Sequence, residues 1–124
     1  LLDTPYFSEP PDDRDDWEQV DVNSRAELAQ RFGQAFYFGC EADDRTVSLA
    51  SSRHNGLGVD LNATLGSDIG HWDVAHADHV VPEAWELVTS GLMTEEEFRR
   101  FTYDNARRFL TTSAPDFFAG TILA

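Results

Sequence analysis

An α/β arrangement is what the sequence predicts, on three observations: two short apolar runs suited to strands, helical periodicity between and after them, and capping signatures that mark helix starts. Ser24-Arg25-Ala26-Glu27 has the capping-box spacing, in which the hydroxyl accepts from the N–H three residues on and the Glu returns the bond. A helix should start there, with Ala26, Leu28, Ala29 and Phe32 on its apolar face and Gly33 ending it in a left-handed conformation. Ala35-Phe36-Tyr37-Phe38-Gly39-Cys40 is then a continuous apolar run with aromatic strand formers, the pattern of a strand buried on both faces.

After Glu41-Ala42, the acids Asp43 and Asp44 suit the positive end of a short helix over Thr46 to Ser52, and Asn55-Gly56 marks a turn. A second strand over Asn62 to Gly66 delivers Ser67-Asp68 at its C-terminal end. Pro82 fits the first turn of the next helix, whose Ala84, Trp85, Leu87 and Val88 face inward before Gly91 stops it. Thr94-Glu95-Glu96-Glu97 repeats the capping box, and Phe98, Phe101, Asn105 and Phe109 follow at helical intervals, with Arg107 and Arg108 near the negative end. The expected core is Phe36, Phe38, Leu65, Trp85, Phe98 and Phe101. Two buried parallel strands cannot stand alone, because each outer edge would carry a row of unpaired N–H and C=O groups, so this segment wants neighbours.

Residues 1–23 carry Pro5, Pro10, Pro11 and the run Asp12-Asp13-Arg14-Asp15-Asp16 without any sustained period. They read as an acidic surface loop, anchored by Leu1, Leu2, Tyr6, Phe7 and Trp17 to other parts of a larger body, ahead of a segment from 24 to 124.

With 41% hydrophobic and 12% aromatic residues, the chain is too apolar for a disordered tract. Twenty-three acidic residues against nine basic ones give a net charge of −14, a field that repels nucleic-acid backbones and anionic lipid. All nine basic residues are Arg, which removes Schiff-base chemistry from this segment. No apolar run approaches the roughly 20 residues needed to cross a bilayer, and the first residues have no signal-peptide character, so a soluble cytoplasmic protein is expected. The single Cys40, among Phe36, Tyr37 and Phe38, reads as a buried structural thiol.

The constellation richest in chemistry is Gly66-Ser67-Asp68-Ile69-Gly70-His71-Trp72-Asp73, where a carboxylate leaves a strand and meets an imidazole, an indole and a second carboxylate. Strand C-termini are where α/β folds gather their reactive groups. A carboxylate there can coordinate a divalent cation and accept a proton from water that the cation has acidified. On chemistry alone, Asp68 equally fits a cap on the following turn, with His71 bonded to a neighbour. Glu41, at the end of the preceding strand, can reach the same mouth. His76 and His79, at i, i+3 spacing, suit either a shared face or an exposed loop.

Three stretches, Phe38-Gly39-Cys40-Glu41-Ala42-Asp43-Asp44, Gly66-Ser67-Asp68-Ile69-Gly70-His71-Trp72-Asp73-Val74 and Asp116-Phe117-Phe118-Ala119-Gly120-Thr121, together resemble the C-terminal part of the amidohydrolase-2 family. The resemblance covers roughly residues 24 to 124. It implies a partial (β/α)8 TIM barrel, made of its last two strand-helix units plus C-terminal helices, with Phe36 to Cys40 as the seventh strand and Leu61 to Gly66 as the eighth. Asp68 would stand in the place of the family's eighth-strand aspartate, which touches the metal and shuttles the proton of the attacking water. The first-strand His-x-His pair and the later metal-binding histidines of the family have no counterpart in this chain. Asn105-Ala106-Arg107-Arg108 stands where such proteins often have Asn-Pro, and Val74-Ala75 departs from a stretch that usually carries Pro after Val.

The expected function is therefore that of the C-terminal part of a metal-dependent hydrolase, inactive alone, acting on a small molecule. Asp68 would be ligand and proton shuttle, with Glu41, His71 and Trp72 contacting substrate. The metal, expected to be zinc, would take its other ligands from outside this chain, and the N-terminal remainder of the barrel would be the partner, with self-association left open. Two alternatives are a non-oxidative decarboxylase of the same fold and a non-catalytic acidic binding or structural module.

Overall fold

A computed structural model of the chain describes residues 21–123 together with Gln19. The acidic run and the proposed anchors between Leu1 and Trp17 lie outside the described residues. What is described is an α/β layer: helix α1 (Arg25–Ala35), strand β1 (Tyr37–Cys40), a 3-10 helix (Arg45–Ala50), strand β2 (Asn62–Leu65), helix α2 (Val80–Thr89), helix α3 (Glu95–Arg99), a π-helical turn (Arg100–Asp104) and helix α4 (Asn105–Ser113). No described helix is long and apolar enough to cross a membrane.

The local signals act largely as chemistry demands. Ser24 Oγ accepts from the Glu27 N–H at 3.1 Å, but Glu27 answers the N–H of Asn23, one residue before the cap. Thr94 completes the full box with Glu97, satisfying donors at both ends of the first turn of α3. Gly91 closes α2 at φ 77°, a left-handed turn in which the Leu92 N–H reaches back to Leu87 O at 2.9 Å. Asn55 ties the crossover between the strands by donating to Leu49, Ser51 and Val59 carbonyls and accepting from the N–H groups of Leu57 and Gly58.

β1 and β2 pair in parallel, with Tyr37 opposite Asn62 and Cys40 opposite Leu65. Ala63 and Phe101 join Val47, Leu87 and Met93 in one buried cluster, while Ala42, Val80, Ala84 and Phe98 form a second beside it. The helical layer of α2, α3 and the π turn thus covers one face of the pair. Among the described residues Phe101 is the best-buried large side chain, at 2% exposure.

Five expectations need correction. Gly33 lies inside α1 and does not end it in a left-handed conformation, since the helix runs to Ala35. The glycine is there because the crossover passes close: a Cβ would sit 3.0 Å from Asp60 O and 3.1 Å from Val59 Cγ2. Thr46 to Ser52 is a 3-10 helix over Arg45–Ala50, opened by Asp44 accepting from the Thr46 N–H at 2.8 Å. β1 is half-buried with Gly39 exposed, since the described residues cover only one of its faces. Phe36 is 53% exposed and Trp85 39% exposed, so placement on a strand run and on a helical face did not by itself put them in the core of the described residues. The last helix does not run uniformly but passes through the π turn.

Candidate functional site

The C-terminal ends of the two strands open side by side. Gly66 N–H extends the ladder to Cys40 O at 2.8 Å, which keeps the chain ends in register just before they diverge. From there β1 yields Glu41 and β2 yields Ser67-Asp68, and both acids line one cleft of about 260 Å³ beneath the start of α2. The two acids also border an adjoining recess of about 430 Å³. Asp68 takes φ 47°, a left-handed conformation that Asp tolerates better than most residues, and the chain bends back so that the His71 N–H donates to Asp68 O at 2.9 Å. That bend sets His71 Nδ1 3.2 Å from Asp68 Oδ2, an ion pair whenever the imidazole is protonated, and 4.0 Å from Asp73 Oδ1.

No protein-family model, curated protein or solved structure matches the chain.

The cleft gathers Glu41, Asp43, Asp68, Asp73 and Glu83 with two histidines, His76 and His79, whose rings lie 5.0 Å apart. The sequence named four of these acids and both histidines. Glu83 it passed over, although an acid following Pro82 in the first turn of a helix is placed to point back at the preceding loop. Trp72 and Ile69 stand away from the cleft, and Trp72 is 94% exposed. Glu41 and Asp68 are thus brought together in the cleft, His71 is paired with Asp68 without lining it, and Trp72 is not part of the group.

Among the described residues no three His, Cys, Asp or Glu side chains converge closely enough to hold a metal ion. A zinc site needs three or four protein ligands, so the described residues do not make one by themselves. Cys40 borders the recess but is a poor candidate ligand in its resting state: burial raises its thiol pKa, the charge of Asp44 adds to the shift, and Sγ lies 3.8 Å from Phe38 O.

The opposite end of the strand pair carries a polar network that sequence reasoning missed. Buried Asn62 donates to Gly33 O at 2.7 Å and Phe36 O at 3.0 Å, and buried Asn105 donates to Ala63 O at 2.8 Å. Arg108 bonds the side-chain oxygens of both asparagines. The available signal was Asn105 itself, an amide on the apolar face of a helix, which cannot be buried without partners.

Proposed function

We propose that this chain forms the closing part of a (β/α)8 barrel of the amidohydrolase type, a metal-dependent hydrolase in which Asp68 is one metal ligand and the acceptor of the proton lost by the attacking water. The observation that carries the reading is the pairing of β1 and β2 in parallel, with Glu41 and Asp68 leaving adjacent C-terminal ends into one cleft. That is the position in which barrel enzymes hold their chemistry, and the Gly66-Ser67-Asp68-Ile69-Gly70-His71-Trp72-Asp73 resemblance points to the same aspartate. A two-stranded parallel sheet covered on one face alone among the described residues also fits a piece that further strands complete.

A divalent metal, zinc on this reading, would supply Lewis acidity for water and for the scissile group, with its remaining ligands on the rest of the barrel. The chain's own work is at the carboxylate. Asp68 would take the proton on an oxygen, His71 at 3.2 Å would hold the carboxylate in orientation, and Glu41 would border the small-molecule substrate. Trp72 would meet substrate only through a surface that the remaining strands bring to it.

The test is made on the natural full-length protein loaded with zinc, comparing wild type with Asp68→Asn. The expected outcome is a fall in kcat of about 10²–10⁴-fold, the range for losing a general acid–base group, with KM and the melting temperature little changed. Full turnover in Asp68→Asn would sink the catalytic assignment. A natural polypeptide confined to these 124 residues and folding cooperatively by itself would sink the barrel and leave the acidic module in its place.

A further inference from the structure

We propose that the cavity at the N-terminal end of the strands, around Arg108, is a carboxylate-binding site, distinct from the cleft of Asp68. The cavity, of about 640 Å³, lies between the end of α1 and α4. In a chain of net charge −14, none of the described residues lining it is acidic, and Arg108 is the one cation among them.

The guanidinium is held, not loose. Nε donates to Tyr37 Oη at 3.2 Å, and Nη2 donates to Asn62 Oδ1 at 2.5 Å and Asn105 Oδ1 at 3.0 Å, while Cζ lies 5.9 Å from the centre of the Tyr37 ring. All of these partners are neutral. Arg31, Arg53, Arg99 and Arg100 each pair with a carboxylate, whereas Arg25, Arg45 and Arg107, like Arg108, form no ion pair among the described residues, and of these Arg108 is the one that lines this cavity. Asn62 and Asn105 are buried and are themselves fixed by backbone carbonyls, so the charge is preorganised by groups that cannot move away from it.

A guanidinium has five N–H donors, and these contacts occupy Nε and Nη2. They leave the two N–H groups of Nη1 without a bond among the described residues, on a side chain that lines the cavity, and such donors can take a carboxylate oxygen in a charge-assisted bond. Gln34 and Ser113, which also line the cavity, carry side-chain donors that can serve the second oxygen. The carboxylate can come from a small solute or from the chain's own acids at Asp12, Asp13, Asp15 and Asp16, whose chemistry is the same.

The experiment titrates the ¹⁵N-labelled full chain with sodium acetate against sodium chloride at matched ionic strength, reading the Arg108 Nε–H and the Gln34 and Ser113 amides. A saturable, acetate-specific shift in wild type supports a site open to solutes. A silent wild type that gains this shift when the four aspartates are changed to Asn supports occupancy by the chain's own acids. In whichever protein responds, Arg108→Gln should abolish the shift of the Gln34 and Ser113 amides. Because Arg108→Gln can unfold the Asn62–Asn105 network, Gln34→Glu serves as a second variant: it supplies an internal carboxylate at the rim and should also abolish the response. Acetate shifts that persist in either variant, or that appear in neither wild type nor the aspartate-free chain, overturn the proposal.

Discussion

The two ends of the parallel strand pair answer their polar groups in different ways. At the N-terminal end, Asn62, Asn105 and Arg108 satisfy one another and the carbonyls of Gly33, Phe36 and Ala63. Nearby, Glu97 accepts from Ser51 Oγ at 2.6 Å, from Arg53 and from the Thr94 N–H, which pins the crossover to α3. At the C-terminal end, five carboxylates and two histidines share a cleft, and Asp68 pairs with His71 beside it. A polar group spent on internal bonds holds the fold, and one left facing a cleft is available to something else. The difference separates residues whose loss should unfold the chain from residues whose loss should leave it standing.

The largest effect should come from the core beneath the well-tied end. Phe101→Ala removes the best-buried ring and should cost about 3–5 kcal/mol in denaturant unfolding. A loss close to zero would mean that the helical layer does not bear on the strands. Next comes Asn105→Ala, which strands the Ala63 carbonyl and removes one anchor of Arg108; a cost of about 2 kcal/mol is expected by the same measurement.

Smaller still is a pH effect. Burial opposes the ionisation of Glu97, but hydrogen bonds from Arg53, Ser51 and Thr94 outweigh it and lower the carboxyl from its usual 4.5 to about 2. Because the folded value is depressed, its contribution is fully present above about 4.5 and is lost as pH falls towards about 2. Glu97→Gln should flatten the stability curve across that window, and an unchanged curve would show that these bonds do not favour the charged form. The smallest effect should be Trp72→Ala, within about 0.5 kcal/mol, because this indole is 94% exposed. A larger loss would blur the distinction between the two ends.

Much of this layout was legible from local chemistry. The Thr94 capping box, the Gly91 stop and the position of Asp68 past a strand end depend on neighbours a few residues away, and the structure has all three. Burial was less legible. Phe36 and Phe101 look alike in sequence, yet Phe101 meets Ala63 and Leu87 while Phe36 stacks on Phe32 with its other face open. Gly33 was misread for a related reason: the close approach that demands a glycine is made by Asp60 and Val59, which no local pattern brings near. The Arg108 network escaped because its partner Asn62 is 46 residues away.

The π turn has a consequence for how chains of this kind can be compared. At its end the Asn105 N–H donates to Arg100 O, five residues back instead of four, so the turn accommodates one residue more than an α-helix would. Helical phase on the Phe98 side therefore does not carry over to the Asn105 side. A homologue lacking that extra residue would align with this chain only through a one-residue gap between Arg100 and Asn105. Counted without the gap, its equivalent of Asn105 would be sought about 100° around the helix from the Ala63 carbonyl that the amide here engages.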